Sequence, residues 1–456
     1  MASEQSEEKA LKEKTREAAA AQPLEQIAAG LVKFGGFGIV ETTVDGAQNL
    51  NPEKKARKKI FLSEEGKKAE RKDLLTRLEL IKELLDSADS VPDLVEKAQA
   101  KVDEAQVVLS KNLKNALDET RELETSYRSV NNFFKNTDQD KVKNVYIMNA
   151  AMEQLTDLDN TTFIDAVSEE LQQNYDRLDL RDNYAILSIP GYLGSKKVVD
   201  KWARIANKNK VMLLTDFQHL DGPDDVIELF EADDLTGGDL YLSNVMMTCN
   251  WLVGRGKAQD VGEEDDLYVP PSTALAGKVY GTLMSQVAAG RKHGALNEAD
   301  GVRFPLKKSE IAQLEKIGLI PMVNEYGKVM PFSAKTLFNG DNLGLQTYSV
   351  VRVFDYVTKV LIDFLNRRAF ENFNVNTRMD IQKQIVKFLD SITGPGKLIE
   401  KFKLLRLEQD PNQKDRVFLD IHMVPYFPAK NFMIKLDGRK GDDPDSAEWQ
   451  AEYAQA

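Results

Sequence analysis

The sequence predicts a mixed α/β fold: a helical N-terminal arm, a central βαβ-containing domain, and C-terminal helices closed by strands open to an intermolecular sheet. Three observations carry this. Residues 1–135 are rich in Lys, Glu, Ala and Leu and poor in aromatics, with apolar residues at helical spacing. From about residue 140, near-continuous apolar runs alternate with amphipathic segments, the rhythm of strand and crossover helix. After residue 416, apolar and polar residues alternate with the two-residue period of a half-buried strand.

Within the arm (1–135), residues 7–21 read as a charged helix. A break at Gly35-Gly36-Phe37-Gly38, a strand-like run at 39–44 and a basic stretch, Lys54-Lys55-Ala56-Arg57-Lys58-Lys59, follow. Leu74, Leu78, Ile81 and Leu85 stand at heptad spacing, Ser90 with Asp93 forms a capping box, and Val95, Ala98, Val102, Ala105 and Leu109 continue the seam. Such a stripe suits a helical hairpin, a partner helix, or two helices packed on their own domain.

The central domain (136–345) carries strand candidates at Val145–Met148, Tyr184–Ile189 and Val211–Asp216. Helices are expected at Thr161–Tyr175, Ser195–Asn207, Pro223–Phe230 and about 272–288. The stretch Phe338-Asn339-Gly340-Asp341-Asn342-Leu343-Gly344 punctuates the chain before the C-terminal domain (346–440). There, Val350, Val353, Phe354, Val357, Val360, Leu361, Phe364 and Leu365 mark one buried helix. Thr377 with Asp380 opens another, whose Ile381, Ile385, Phe388, Leu389 and Ile392 point inward until Gly394-Pro395-Gly396. Val417–Val424 and Phe432–Leu436 read as a closing hairpin, and 441–456 as a loose polar tail.

Composition narrows function. The chain has 456 residues, and 61 Lys and Arg against 73 Asp and Glu give a net charge of −12, which argues against a general nucleic-acid binder. One cysteine, Cys249, excludes an internal disulfide, and three scattered histidines (His219, His293, His422) form no metal-binding pattern. The acidic start lacks a signal-peptide pattern, and no apolar run approaches the roughly 20 residues of a membrane span. A soluble cytoplasmic protein without membrane insertion is expected.

The best enzyme-like feature is Pro190-Gly191-Tyr192-Leu193-Gly194-Ser195-Lys196-Lys197 between a strand and a helix, with Asp216 ending the next strand. Such a loop presents N–H groups to phosphate, and the aspartate suits Mg²⁺. The loop is two residues short of a P-loop, with Ser and Lys reversed. It also reads as a tight turn with Ser195 as N-cap. Gly254-Arg255-Gly256-Lys257 and Glu263-Glu264-Asp265-Asp266 read as surface loops, Gly394–Lys397 as a helix stop, and Cys249 as core. No catalytic residue, cofactor or metal is assigned. A phosphoester-handling α/β enzyme using 191–197, and a scaffold using the N-terminal heptads, stay as alternatives.

Three stretches in order carry a family resemblance. Lys328-Val329-Met330-Pro331-Phe332-Ser333-Ala334-Lys335-Thr336 resembles an F-x-S-A-N-S segment, with Lys-Thr where Asn-Ser would stand. The helix Tyr348–Phe370 with Arg367-Arg368 follows. Arg416–Phe427 and Phe432–Leu436 resemble a closing strand pair with its proline-aromatic turn. Together they resemble the large subunit of the type VI secretion contractile sheath, TssC/VipB, and the whole chain from Phe34-Gly35-Gly36-Phe37-Gly38 onward looks closer to the divergent form found in Bacteroidetes. The resemblance implies a heterodimer with a small TssB-like subunit, stacked with other copies in helical rings around an Hcp-like tube on a baseplate. It implies that contraction propels the tube, and that an AAA+ ATPase recycles sheath in many systems. Both readings put the intermolecular sheet at Val417, Phe418, Leu419, Asp420, Ile421, His422 and Met423, and at Phe432, Met433, Ile434, Lys435 and Leu436.

Overall fold

A computed structural model describes residues 65–138, 142–430, 432–439 and 447–454. The expected helix at 7–21, the break at 35–38, the strand at 39–44 and the basic stretch at 54–59 lie outside them. The chain divides into two units, Met1–Asn115 and Ala116–Ala456.

In the first unit, helix α1 (Lys68–Ser87) buries Leu74, Leu78 and Leu85, three of the four heptad residues. Helix α2 (Val91–Asn136) starts where expected. The Asp93 N–H donates to Ser90 Oγ at 3.4 Å, and the Asp93 carboxylate accepts from the Asp89 N–H at 3.0 Å. The seam residues Val95, Val102 and Leu109 are exposed.

The second unit begins with the end of α2. Arg121 donates to Glu263 and Arg128 to the Gly254 carbonyl, both at 2.9 Å, and Asn136 exchanges hydrogen bonds with the Asn297 backbone. Val145–Met148, expected as a strand, is irregular and exposed; the Pro- and Gly-free apolar run has no strand partner among the described residues. Helices α3 (Met152–Thr156) and α4 (Thr162–Tyr175) lead to β1 (Ile186–Ser188), α5 (Lys196–Lys208), β2 (Met212–Asp216) and α6 (Pro223–Asp233). Then come β3 (Val245–Cys249), β4 (Leu252–Arg255), β5 (Leu267–Val269), α7 (Ser272–Gly281), α8 (Gly290–His293), β6 (Gly301–Val302), α9 (Lys308–Lys316), β7 (Leu319–Glu325) and β8 (Lys328–Pro331).

The main sheet has the order β1-β2-β3-β7-β8, parallel except for β8. The βαβ expectation therefore holds: β1 and β2 pair in parallel, Ile186 opposite Met212, with α5 between them. Alternate residues of one strand feed two cores. Leu213, Met247 and Cys249 face a core with Trp202 of α5, Ile164 of α4 and Phe230 of α6. Met212, Leu214 and Met246 face a second core built by α7, with Tyr348 and Val351. Strands β4, β5 and β6 form a small antiparallel sheet.

Helix α7 ends at Gly281, short of the expected 288, because Thr282 turns extended. Helix α10 (Tyr348–Arg367) places Val353 and Val357 in a third core but leaves Phe354 exposed. Helix α11 (Val375–Ser391) adds Ile381, Ile385 and Leu389. Its cap is Asn374, whose side chain accepts the Thr377 N–H at 3.0 Å, one turn before the expected Thr377 cap.

The expected hairpin over 416–437 is not formed. Strand β9 (Ile399–Gln409), absent from the sequence reading, pairs antiparallel with β10 (Val417–Pro425), and β11 (Met433–Arg439) pairs with β12 (Ala447–Ala454). The Asp410-Pro411-Asn412 turn closes the first hairpin: the Asp410 N–H bonds the Arg416 carbonyl at 2.9 Å, and the Asp410 carboxylate accepts the Asn412 N–H at 2.9 Å. The connection from β10 to β11 is carried away from β10. Tyr426 donates to the Gly394 carbonyl at 2.7 Å, and Lys430 pairs with Glu315. The loose tail is likewise corrected over 447–454, where Ala447, Trp449, Ala451 and Tyr453 alternate with polar residues in a strand.

Candidate functional site

The strand segments at the C-terminus form the candidate site. In the β9–β10 hairpin, Leu419, Ile421 and Met423 of β10 and Phe402 of β9 pack inward on the third core. Phe418, Asp420 and His422 fall on the opposite face by strand alternation. Asp420 lies opposite Arg406 and His422 opposite Lys403. Arg406 bonds Asp420 at 2.6 Å and stacks on Phe418, 4.4 Å from the ring centre. Leu405 is an extra residue opposite the Asp420/Ile421 step, a bulge that strengthens the local twist.

Each hairpin is a two-stranded sheet, so every strand has one backbone edge without a strand partner among the described residues. Two-stranded hairpins are marginal in water on their own. The first rests on a core; Phe432, just before β11, and Met433, Ile434 and Leu436 along it are exposed. The expected interface residues thus fall into two groups: Val417–Met423 on a hairpin seated on the body, and Phe432–Leu436 at a second hairpin, where these five described side chains add nothing to the cores above. Sequence reasoning missed β9 and β12, the internal partners of both.

The phosphate-loop candidate has a different internal role. The Gly191 N–H donates to Asp216 at 2.8 Å, so the amide that would face a phosphate is taken. The buried Asp216 carboxylate also accepts from the Ser272 N–H at 2.7 Å, the Ser272 hydroxyl at 2.6 Å and the Thr248 hydroxyl. It joins the loop after β1, strand β3 and the start of α7. Burial raises its pKa to about 6 against the pull of these donors. Lys196 pairs with Asp234, and Ser195 precedes α5 without a side-chain cap bond.

Arg255 is bound by Glu124 and Glu263. Glu263 is held down to about 2, chiefly by its hydrogen bond from Arg255. Cys249 is core, its thiol pushed up by burial. His219 stacks between Trp251 and Tyr268, with its pKa lowered by burial and by Arg303. No group of three His, Cys, Asp or Glu suited to a metal exists among the described residues, and none of their helices is long and apolar enough to cross a membrane.

Three family models match the chain in order. They are the TssC/VipB-like N-terminal region over 24–113, the type VI secretion system TssC/VipB central domain over 115–339, and the TssC/VipB-like C-terminal domain over 347–455. The class these matches define is the structural subunit of a contractile sheath. The chain belongs to the TssC/VipB family of the type VI secretion system. No curated protein matches it.

Similar solved structures include the anti-feeding prophage baseplate, 15% identical, covering 69% of this chain and 80% of that one with a TM-score of 0.48. The helical sheath of the same prophage in its contracted state is 17% identical, covering 67% and 79% with a TM-score of 0.46. A sheath tail protein of Desulfitobacterium hafniense is 12% identical, covering 64% and 59% with a TM-score of 0.41.

Proposed function

We propose that this chain is the large subunit of a cytoplasmic contractile sheath. It pairs with a small TssB-like subunit and stacks in helical rings around an Hcp-like tube on a baseplate. Contraction then propels the tube, and the chain performs no turnover. The observation that carries this reading, given the family, is the pair of terminal hairpins with open edges. A neighbour's strand laid along such an edge gains main-chain hydrogen bonds in fixed register, and alternate side chains set its identity. Paired strands hold while subunits rotate as rigid bodies, so contraction needs no nucleotide at firing.

The test is co-expression with the small partner, followed by negative-stain microscopy, for the full chain and for a truncation after Lys430. The truncation removes β11 and β12, whose described side chains lie outside the three cores. The expected result is long tubules of cogwheel cross-section from the full chain, and a folded but unpolymerised truncation. Full-length sheath from the truncated chain would overturn the role of β11.

A further inference from the structure

Helix α2 buries polar residues and exposes apolar ones, the reverse of an ordinary amphipathic helix. Toward its C-terminal end Ser129, Asn132 and Asn136 are buried. On neighbouring turns Arg121 bonds Glu263, Glu124 pairs with Arg255, and Arg128 donates to the Gly254 carbonyl. The apolar side chains Val95, Val102, Leu109, Leu113, Leu123 and Tyr127 are 48–72% exposed. Because α2 runs unbroken from Val91 to Asn136, its period places all six in one stripe, within about 40° of Leu109. From Val95 to Tyr127 the stripe is about 48 Å long. An exposed apolar band of that length marks a docking surface.

The spacing of the stripe says what fits it. Leu109 is its midpoint: Ala105 and Leu113 stand four residues to either side, Val102 and Ala116 seven, and Val95 and Leu123 fourteen. Positions that read the same in both directions match themselves when one helix is turned end for end. Two copies laid antiparallel about this midpoint set Leu109 on Leu109. At the next two steps a larger residue meets a smaller one, Leu113 on Ala105 and Val102 on Ala116. A parallel pair would set Ala105 on Ala105 and Ala116 on Ala116, which leaves gaps along the seam.

The charges agree with the antiparallel arrangement. Lys101 and Glu119 are eighteen residues apart, about five full turns, so both project from the same flank of the stripe. They stand eight residues before and ten residues after Leu109. The antiparallel pair therefore brings Lys101 of each copy beside Glu119 of the other, twice by symmetry.

We propose that α2 is a self-association surface, on which a second copy of this chain pairs as an antiparallel two-helix coiled coil centred on Leu109. The pairing goes beyond the sheath reading and does not rest on it. Members of a two-fold pair point in opposite directions, whereas subunits related by one screw operation share a direction. Within the sheath reading, the pair is therefore a form of the free chain.

The test is sedimentation equilibrium of the full chain over a range of concentrations, with the fold of each variant checked by circular dichroism. Wild type should be a dimer that dissociates on dilution. Leu109→Glu places two carboxylates face to face at the centre and should weaken association about a hundredfold or more. Lys101→Glu and Glu119→Lys should each weaken it about fivefold, and the double variant should restore it. Cysteine cross-linking reads the register, since the native Cys249 is buried. Under mild oxidation Leu109→Cys should give a covalent dimer, as should the double variant Val95→Cys/Leu123→Cys, whereas Val95→Cys alone should not. A wild-type chain that stays monomeric at every concentration overturns the proposal and leaves the stripe to another protein or to residues 1–64. A dimer unaffected by Leu109→Glu overturns it equally, by placing the contact elsewhere. Cross-linking by Val95→Cys alone would make the pair parallel and contradict the register.

Discussion

Asp216→Asn tests the role of the buried carboxylate that holds the loop after β1. The wild-type carboxylate accepts four hydrogen bonds, from Gly191, Thr248 and twice from Ser272. Asparagine offers one oxygen and two N–H groups, so it can serve only two of these donors and opposes the others. Two buried donors left unpaired cost about 1–3 kcal/mol each. Against this, the wild type carries its own charge penalty. Burial raises the folded pKa from 3.8 to about 6, and each unit corresponds to about 1.4 kcal/mol, or about 3 kcal/mol in all.

The folded state holds the proton more tightly than the unfolded chain, so this contribution is favourable below pH 4 and is lost as pH rises through 6. At neutral pH the two effects oppose, and Asp216→Asn should be destabilised by no more than about 3 kcal/mol. The sharper signature is the slope. The stability of the wild type relative to Asp216→Asn should fall by about 1 kcal/mol between pH 5 and pH 7.5. Urea unfolding of the full chain, followed by circular dichroism across that range, measures it. A difference that is flat, or that grows with pH, would refute the account of Asp216 as a desolvated, internally satisfied latch.

Other consequences follow from the same packing. Gly277 on α7 meets α2 so closely that an added Cβ would stand 2.4 Å from the Phe133 carbonyl oxygen; Gly277→Ala should cost about 1–3 kcal/mol in chemical denaturation, and an unchanged midpoint would contradict this packing. Glu263 is depressed to about 2 by Arg255, with Arg121 adding to it. The sign is opposite to that of Asp216: its stabilisation is complete above pH 4.5 and lost as pH falls toward 2. Glu263→Gln should therefore flatten the acid limb of the unfolding curve, and an unaltered limb would count against the ion pairs. Trp202 is fully buried and donates to the Leu155 carbonyl at 3.0 Å. Trp202→Ala should cost about 3–5 kcal/mol, and a loss under about 1 would show that the site collapses around the cavity.

Much of the central fold was legible because both faces of β2 and β3 are buried. Residues 211–216 are near-uniformly apolar, and β2 is buried at every position. Strand β1 is shorter than its apolar run, since Tyr184 and Ala185 precede the pairing that begins at Ile186. Strand β9 was hidden by its bulge: Ile399, Phe402, Leu404 and Leu407 do not keep a strict two-residue period. With β9 unseen, β10 was assigned to the next strand-like run, and the hairpin over 416–437 followed. Trp449 and Tyr453 carried a signal for β12 that the surrounding acids and amides obscured.

The latch at Asp216 was not readable at all, because Thr248 and Ser272 lie 32 and 56 residues away. Position along the chain marked Asp216 as a strand-end carboxylate. Only the fold shows that its donors are protein groups, and that the Gly191 amide is already engaged.

Amide hydrogen exchange over 417–425 and 433–439, in the free chain and in the co-expressed assembly, reads the open edges most directly. Assembly should slow exchange in both segments, as neighbouring strands take up N–H groups that face solvent in one molecule. Equal exchange in the two states, in the presence of the small partner, would contradict completion of these sheets by other chains.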